Sequence, residues 1–335
     1  MKNTVRLRYS LAAIAVLASL AVVVCAALRQ GTHVGFAADN SCVNAISFSP
    51  DNRILVTGGW DYLVKLWDPQ HYRRIGLLRA HSGWVNALAT SPDGTLLASS
   101  GSDDTIRIWS FPFGDPIAKL PAKSHIVFSL AFAPNNKLIA SGGWDSVRFW
   151  DVEKRAQIGA LAQNSGRVNS LAFSSDGKRL LTAGADSNGR AEVICWDVES
   201  KKQKLAYPGH ALPVTSLALS PDGKVVAAGG EDKTIKLWGV ATGREQRTLQ
   251  AHTDAISAIA YAPDGRTLAT ASLDKTLKLW DLSTGTVSTT FPHDSAVTCI
   301  CFSPDGKLLA SAARGYSGLL WHPAEVTIRS LSEGK

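Results

Sequence analysis

A tryptophan recurs along this chain at spacings of 42, 41, 46, 42, 42 and 41 residues. The seven positions are Trp67, Trp109, Trp150, Trp196, Trp238, Trp280 and Trp321. A unit of about 40 residues with four short strands cannot bury both faces of its small sheet alone, so copies of it must stack on one another. Seven copies arranged radially close into a ring. The period therefore predicts a circular repeat fold rather than a series of independent domains.

A turn tetrapeptide precedes each tryptophan and keeps the same phase. Proline presets φ at the second turn position, aspartate bonds its own backbone, and glycine accepts a positive φ. The seven turns are Ser49-Pro50-Asp51-Asn52, Ser91-Pro92-Asp93-Gly94, Ala133-Pro134-Asn135-Asn136, Ser174-Ser175-Asp176-Gly177, Ser220-Pro221-Asp222-Gly223, Ala262-Pro263-Asp264-Gly265 and Ser303-Pro304-Asp305-Gly306. Two independent markers thus define one repeat.

The segments around each turn show strand periodicity. In the second unit, residues 85–89 alternate apolar with small or polar side chains, residues 96–99 form a short apolar run, and residues 105–109 alternate again. A weaker fourth strand leads into the next unit, and no helical periodicity follows residue 30. We therefore predict an all-β fold, a seven-bladed β-propeller of four-stranded antiparallel blades over residues 31–332.

The N-terminal segment differs from the repeats. Three basic residues precede an apolar run over residues 11–28, which only Ser19 interrupts, and Arg29 closes it. The run exceeds the usual signal-peptide core of about 7 to 15 residues and falls just short of the roughly 20 that span hydrocarbon. We expect residues 1–30 to form one hydrophobic helix, either a cleaved signal peptide or a membrane anchor with its N-terminus inside. Under both interpretations the propeller is extracytoplasmic, anchored or secreted.

The net charge of +7 does not indicate nucleic-acid binding. The first 30 residues contribute four basic and no acidic side chains, which leaves 31 basic against 28 acidic residues, or +3, for the rest. A nucleic-acid interface needs a stronger and more clustered positive charge. We therefore predict no nucleic-acid partner, and a membrane contact only through the N-terminal segment.

The cysteines give no sign of a disulfide framework or a metal site. The five are Cys25, Cys42, Cys195, Cys299 and Cys301, an odd set without framework spacing. A tetrahedral zinc site would require further ligands. We interpret them as small buried hydrophobic side chains and predict neither a metal nor a cofactor.

Each unit brings together a hydroxyl, a carboxylate and often a histidine, which superficially suggests a Ser-His-Asp nucleophile. Two units repeat the same intervals, in the sets His81, Ser99, Asp103 and Trp109, and His252, Thr270, Asp274 and Trp280. An enzyme does not need one acid–base set in many blades, whereas a ring of identical turns needs the same buried polar network in each. We therefore interpret both sets as structural networks and predict no catalytic residue.

These positions resemble the WD-repeat β-propeller family over residues 31–332. In that family an indole, a hydroxyl, an imidazole and a turn aspartate form a hydrogen-bonded chain within one blade. By resemblance, the hydroxyl role falls on Thr57, Ser99, Ser141, Thr182, Thr270 and Ser311, the aspartate role on Asp61, Asp103, Asp145, Asp186, Asp232 and Asp274, and the histidine role on His81, His210, His252 and His293. Four positions depart from the pattern, namely Lys123, Asn164, Ala228 and Gly315.

Two segments compete to complete the seventh blade. In many members of the family an N-terminal strand does so, and residues 33–37 align here with residues 75–79. Residues 326–331 have the better β composition and would complete the same blade from the other end. The sequence leaves both possibilities open.

The resemblance also indicates where a partner would bind. Family members read partners on the upper loop face, through the residue before each turn aspartate and through the start of each first strand. Carried over, these positions include Trp60, Trp84, Phe128 and Trp144, with Arg167 beside them. Exposed aromatic and arginine side chains anchor interfaces, although the same rings would also serve to seal blade junctions.

We therefore predict a non-catalytic protein–protein interaction scaffold that binds a peptide or a partner domain on the upper loop face. Two other function classes remain open: an exported propeller enzyme of the hydrolase or lactonase type, and a sensor of a small ligand or glycan. The enzyme would need carboxylates and histidines from several blades on the channel axis, whereas the turns account for most of the acids here.

Overall fold

The computed structural model describes residues 33–39, 42–79, 81–122, 126–144, 146–161, 166–250, 252–317, 320–321 and 324–331. These residues form seven four-stranded antiparallel sheets and contain no helix. The predicted seven-bladed, all-β propeller is thereby confirmed. The helix predicted for residues 1–30 lies outside the described part of the chain, and within that part no helix is long and apolar enough to cross a membrane.

Blades 1 to 6 each use four consecutive strands. Blade 1 is β2–β5 (Val43–Phe48, Leu55–Gly59, Leu63–Asp68, Arg73–Arg79), blade 2 is β6–β9 (Val85–Thr90, Leu96–Gly101, Thr105–Ser110, Pro116–Pro121), and blade 3 is β10–β13 (Val127–Phe132, Leu138–Gly143, Val147–Asp151, Ala156–Ala160). Blade 4 is β14–β17 (Val168–Phe173, Arg179–Ala185, Ala191–Asp197, Gln203–Ala206), blade 5 is β18–β21 (Val214–Leu219, Val225–Gly230, Thr234–Gly239, Glu245–Gln250), and blade 6 is β22–β25 (Ile256–Tyr261, Thr267–Ser272, Thr276–Asp281, Thr286–Pro292).

The hairpin between the first and second strands of every blade is the predicted turn. Its fourth residue has a φ between 62° and 72° in all seven blades, at Asn52, Gly94, Asn136, Gly177, Gly223, Gly265 and Gly306. In blade 2, Ser91 Oγ donates to Asp93 Oδ1 at 2.6 Å, and the same carboxylate oxygen accepts the Thr95 N–H at 3.0 Å. We call the face with these turns the lower face, and the opposite face the upper face.

The core lies between blades rather than within them. One buried cluster joins Val56 and Leu66 of blade 1 to Leu97 and Trp109 of blade 2. Trp109 is 3% exposed, and burial of an aromatic side chain of this size contributes about 3 kcal/mol. Because each repeat tryptophan of blades 1 to 6 is buried, no blade is expected to be stable without its neighbours.

Blade 7 is assembled from both ends of the chain. Its strand order is β26 (Val297–Phe302), β27 (Leu308–Ala313), β30 (Ala324–Ser330) and β1 (His33–Asp39). The N-terminal strand is therefore the outermost strand, as in many family members, and the competing C-terminal segment forms the third strand. Phe36 of β1 also packs against Trp67 of blade 1, with ring centroids 4.6 Å apart, so β1 joins the last blade to the first.

The third strand of blade 7 contains an arginine where the other blades have tryptophan. Leu309 pairs with Arg329 in the register in which Leu97 pairs with Trp109. Arg329 Nη1 donates to Ser311 Oγ at 2.9 Å, as Trp109 Nε1 does to Ser99 Oγ at 3.0 Å. Trp321, the expected seventh marker, lies instead in β29 (Leu320–Trp321), which pairs with β28 (Tyr316–Ser317) outside the blade.

Candidate functional site

The repeated polar residues of blade 2 meet inside that blade. Trp109 Nε1 donates to Ser99 Oγ at 3.0 Å, and Ser99 Oγ lies 2.8 Å from His81 Nε2. His81 Nδ1 lies 3.0 Å from Asp103 Oδ1. Since the hydroxyl oxygen already accepts the indole N–H, its own proton points to Nε2 and the imidazole donates from Nδ1. Ser99 is 0% exposed, so a substrate in solution cannot contact this hydroxyl.

Blade 6 repeats the arrangement. Trp280 Nε1 donates to Thr270 Oγ1 at 2.9 Å, and Thr270 Oγ1 lies 2.7 Å from His252 Nε2. His252 Nδ1 lies 2.9 Å from Asp274 Oδ2. Thr270 is also 0% exposed. The two predicted networks are thus two copies of one buried chain of hydrogen bonds in separate blades.

The buried networks hold an ionised carboxylate beside a neutral imidazole. Burial alone would raise the pKa of Asp274, but hydrogen bonds from Thr276, Thr253 and His252 outweigh it and bring the pKa to about 2. Burial lowers the pKa of His252, although Asp274 opposes the change. The same causes act in the same directions on Asp103 and His81.

The other blades keep only parts of the network. An indole donates to a hydroxyl in blades 1, 3 and 4, in the pairs Trp67–Thr57 (2.9 Å), Trp150–Ser141 (2.8 Å) and Trp196–Thr182 (2.9 Å). In blade 1 the buried Lys65 ammonium forms an ion pair with Asp61. In blade 4 Asp186 Oδ1 accepts the Asn188 and Arg190 N–H groups, both at 2.8 Å, in the loop between β15 and β16. Lys123, Asp145 and Asn164 lie outside the described residues.

Blade 5 lacks the hydroxyl, and its network is left incomplete. Trp238 Nε1 donates to the Pro208 carbonyl at 3.1 Å instead, and His210 Nδ1 lies 2.9 Å from Asp232 Oδ2. His210 Nε2 is buried and has no hydrogen-bond partner among the described residues. Ala228 occupies the register position that Thr270 has in blade 6.

Ala228→Thr is expected to stabilise the protein. A hydroxyl at this position would lie where Thr270 meets His252, and it would give His210 Nε2 the partner that it lacks. One recovered hydrogen bond contributes about 1 kcal/mol, or roughly 3 °C in melting temperature for a chain of this size. Ala228→Val adds the same volume without the hydroxyl, so an equal gain from both variants in a thermal melt would contradict the explanation.

Each first strand contains a β-bulge at its second residue, next to the channel. The pairing register shifts there in all seven blades, at Asn44, Asn86, Phe128, Asn169, Thr215, Ser257 and Thr298. Asn44 Nδ2, for example, donates to the Val85 carbonyl of the next blade at 3.0 Å, and Thr298 Oγ1 donates to the Val43 carbonyl at 2.7 Å. In five blades the bulge residue donates to the next blade in this way, whereas Asn86 Nδ2 donates to Ser102 Oγ of its own blade. Sequence reasoning missed this role, although a polar residue after a β-branched one marks six of the positions.

The inter-blade pattern changes where the predicted aromatic residues gather. Phe128 has no polar side-chain atom at its bulge position. It meets Trp144 edge to face, with centroids 5.2 Å apart, while Trp60 and Trp84 stack at 4.8 Å with an interplanar angle of 14°. Arg167 Cζ lies 4.4 Å from the Phe128 centroid and 5.1 Å from that of Trp144. A position where one blade departs from a pattern that the other blades share is often a functional one.

The five predicted partner-binding residues thus form two adjoining groups, which we name the aromatic wall: Trp60, Trp84, Phe128, Trp144 and Arg167. Trp84 and Trp144 are 45% and 52% exposed, whereas Trp60 and Phe128 are half-buried. Trp60 Nε1 also donates to Asn44 Oδ1 at 3.1 Å. Two rings therefore face solvent, and two pack into the junctions between blades. Partner binding by these residues stays a prediction.

Four residues of the aromatic wall, all except Trp144, line a cavity of about 630 Å³ at the mouth of the channel. The opposite side of the cavity is aliphatic, with Leu212, Ile256 and Leu273, and the charged residues Glu231 and Arg314 also line it. The family pattern carries Leu273 over to the upper face, but sequence reasoning did not predict an aliphatic side, because these residues come from blades 5 and 6 and only the ring brings them opposite the tryptophans. Within the described residues, no group of three His, Cys, Asp or Glu side chains is placed to hold a metal ion.

Comparison with known proteins agrees with the repeat count. A family model described as WD domain, G-beta repeat matches residues 31–68, 72–110, 114–151, 156–190, 201–239, 243–281 and 285–322. Most matches begin near the outermost strand of one blade and end with the third strand of the next. A search of curated proteins found no match.

Proposed function

Because the chain belongs to the WD40 repeat family, we propose that it is a non-catalytic interaction scaffold that binds a peptide or partner domain on its upper loop face. Propellers of this family commonly mediate protein–protein interactions. The family alone does not identify a site, so the proposal depends on local geometry. The observation that carries it is the exposed aromatic wall at the mouth of the channel.

Several properties of the aromatic wall suit a partner. Tryptophan and arginine are the residue types that most often anchor interfaces. Two tryptophan rings are about half exposed, yet each contacts another aromatic ring, so little conformational freedom is lost on binding. A mouth cavity of about 630 Å³ has room for the side chains of a short segment rather than for a folded domain.

We also propose that residues 1–30 export the chain or hold it at a membrane. His33 pairs with Arg329, at the lower end of the third strand of blade 7, so the chain enters the propeller from the lower face. If the segment is kept, residues 29–32 form a tether of at most roughly 14 Å. The aromatic wall, on the upper face, would then be directed away from the membrane and be open to a partner.

A double Trp84→Ala and Trp144→Ala variant is expected to lose its partner. The experiment is an affinity pull-down from membrane fractions of the native cell, with the full chain as bait. Because hot-spot aromatic residues contribute about 2 kcal/mol or more each, capture should fall by well over tenfold. The two rings are exposed, so the melting temperature should stay unchanged.

Phe113→Ala is the matched control for that pull-down. Phe113 is 83% exposed and lies on the lower face, in the loop between β8 and β9. This variant should capture the same proteins as the original chain. Equal capture by all three chains, or a large stability loss in the double variant, would show that the rings only seal blade junctions.

A further inference from the structure

Arg167 is an exposed cation that, unlike Lys65 and Lys236, has no anionic partner among the described residues. Within the described residues, Lys65 pairs with Asp61, and Lys236 lies 3.0 Å from Glu245. No carboxylate of the described residues lies within the 4.0 Å ion-pair limit of the Arg167 guanidinium, and Glu231 influences its pKa only from a greater distance. None of its N–H groups donates a hydrogen bond to a described residue. The guanidinium therefore retains its full capacity to bind an anion.

The backbone around Arg167 is tightly held. The Ala185 N–H donates to the Arg167 carbonyl at 3.0 Å. A Cβ at Gly184 would collide with that carbonyl oxygen, and a Cβ at Gly166 would collide with the Ala185 carbonyl. Two glycines thus allow these chain segments to approach closely, and the rings of Phe128 and Trp144 support the guanidinium from the side. A cation held in this way loses little freedom when it binds a ligand.

The neighbouring tryptophans contribute further donors. Trp60 Nε1 is already bonded to Asn44, whereas the indole nitrogens of Trp84 and Trp144 donate to no described residue. Together with Arg167, these exposed rings present N–H groups that have no partner among the described residues, beside apolar surface. Glu231, on the other side of Arg167, places a negative charge at the same mouth. The site, whose lining also includes Arg314, therefore suits an anionic group with an apolar neighbour.

We propose that the mouth binds a peptide segment in which a carboxylate lies within a few residues of a bulky apolar side chain. The carboxylate accepts hydrogen bonds from Arg167, and the apolar side chain packs against the aromatic wall. Arginine and carboxylate match in geometry, and their charge-assisted bonds are about twice as strong as neutral ones. This inference rests on the proposed function, because it names the chemistry of the partner at that same site.

The test is a selection of random dodecapeptides on the full-length chain in detergent. One library displays the peptides internally, without a free C-terminus, and a second displays them at a free C-terminus, so that side-chain and terminal carboxylates are distinguished. We expect enrichment of one Asp, Glu or terminal carboxylate close to an aromatic or aliphatic residue. Synthetic versions of the enriched peptides are then measured by fluorescence anisotropy.

Two variants, each of which removes one charge from the mouth, test whether the carboxylate of the peptide binds Arg167. Arg167→Gln is expected to raise the Kd of the enriched peptides at least tenfold. A hydrogen bond to a charged group contributes about 1.5 to 3 kcal/mol, which corresponds to that loss of affinity. Glu231→Gln removes the negative charge that repels the peptide carboxylate, so it should lower the Kd of the same peptides about twofold to threefold. Both side chains line an open mouth, and thermal melts verify that each variant is folded.

The outcomes separate this inference from the proposed function. Two results would overturn the inference and leave peptide binding intact. In the first, the enriched peptides require Trp84 and Trp144 but show no preference for an acidic residue. In the second, they bind the Arg167→Gln variant with unchanged affinity. If no enriched peptide depends on Trp84 and Trp144, both proposals are overturned. Weaker binding to Arg167→Gln together with tighter binding to Glu231→Gln would support the carboxylate ligand.

Discussion

A chain that lacks residues 1–39 is expected to lose on the order of 5 kcal/mol of unfolding free energy relative to a chain that lacks only residues 1–30. Strand β1 pairs with β30 from His33–Arg329 to Asp39–Ala324, and its removal abolishes that ladder. Phe36 also leaves the hydrophobic cluster that joins blade 7 to blade 1. The exposed edge of β30 would then be available to other chains, so aggregation is expected as well.

The comparison with the shorter deletion separates the strand from the segment before it. Urea titrations followed by tryptophan fluorescence give the two stabilities, and size-exclusion chromatography detects association. Phe36→Ala in the chain without residues 1–30 is a milder version and should lose about 2 kcal/mol, because the ring is only half-buried. Equal stability of the two deletions would mean that blade 7 closes the ring without β1.

The repeat architecture was predictable because its markers are local. A turn such as Ser91-Pro92-Asp93-Gly94 fixes its own backbone, and the positive φ at Gly94 follows from residue chemistry alone. The tryptophan period then sets how the hairpins stack. Neither inference requires knowledge of which blades are neighbours. The structure confirms the turn in all seven blades and the tryptophan in blades 1 to 6.

The seventh blade shows where the period was misleading. Trp321 has the right spacing, yet residues 324–330 form the third strand, consistent with their stronger β composition. Arg329 replaces the indole because its guanidinium supplies an N–H donor to Ser311 and packs over Phe291, with Cζ 4.8 Å from the ring centroid. Spacing identifies a residue type at a position, but it does not reveal that another residue can make the same hydrogen bond.

The sequence predicted which residues belong to the candidate site, but not how they are arranged in space. The family pattern assigned Trp60, Trp84, Phe128, Trp144 and Arg167 to the upper face. The stacking of Arg167 on two rings and the aliphatic side opposite depend on contacts between different blades, and these contacts follow from the closure of the ring. No local pattern in the sequence encodes them.

Asp103→Ala is expected to lower the free energy of unfolding by about 3 kcal/mol, the largest effect of any single substitution considered for the buried networks. The Asp103 carboxylate accepts from His81 Nδ1 (3.0 Å), the Ser82 N–H (3.0 Å) and Thr105 Oγ1 (2.7 Å). Its removal leaves the buried His81 and Thr105 donors, and the exposed Ser82 N–H, without this acceptor. Gly315→Ala, at the equivalent position of blade 7, removes no such acceptor and should lower the melting temperature less.

The pH dependence tests whether the Asp103 charge is responsible. Burial raises the pKa of Asp103, but hydrogen bonds from Thr105, Ser82 and His81 outweigh it, so the folded pKa lies below the ordinary value of 3.8. The carboxylate therefore stabilises the fold fully above that value and ceases to do so as the pH falls through the lowered pKa. In urea titrations, the stability gap between the original chain and Asp103→Ala should not shrink between pH 7 and pH 5, and should narrow only in stronger acid. A gap that closes between pH 7 and pH 5 would mean that Asp103 loses its charge well above its lowered pKa, and it would overturn the role given to the carboxylate.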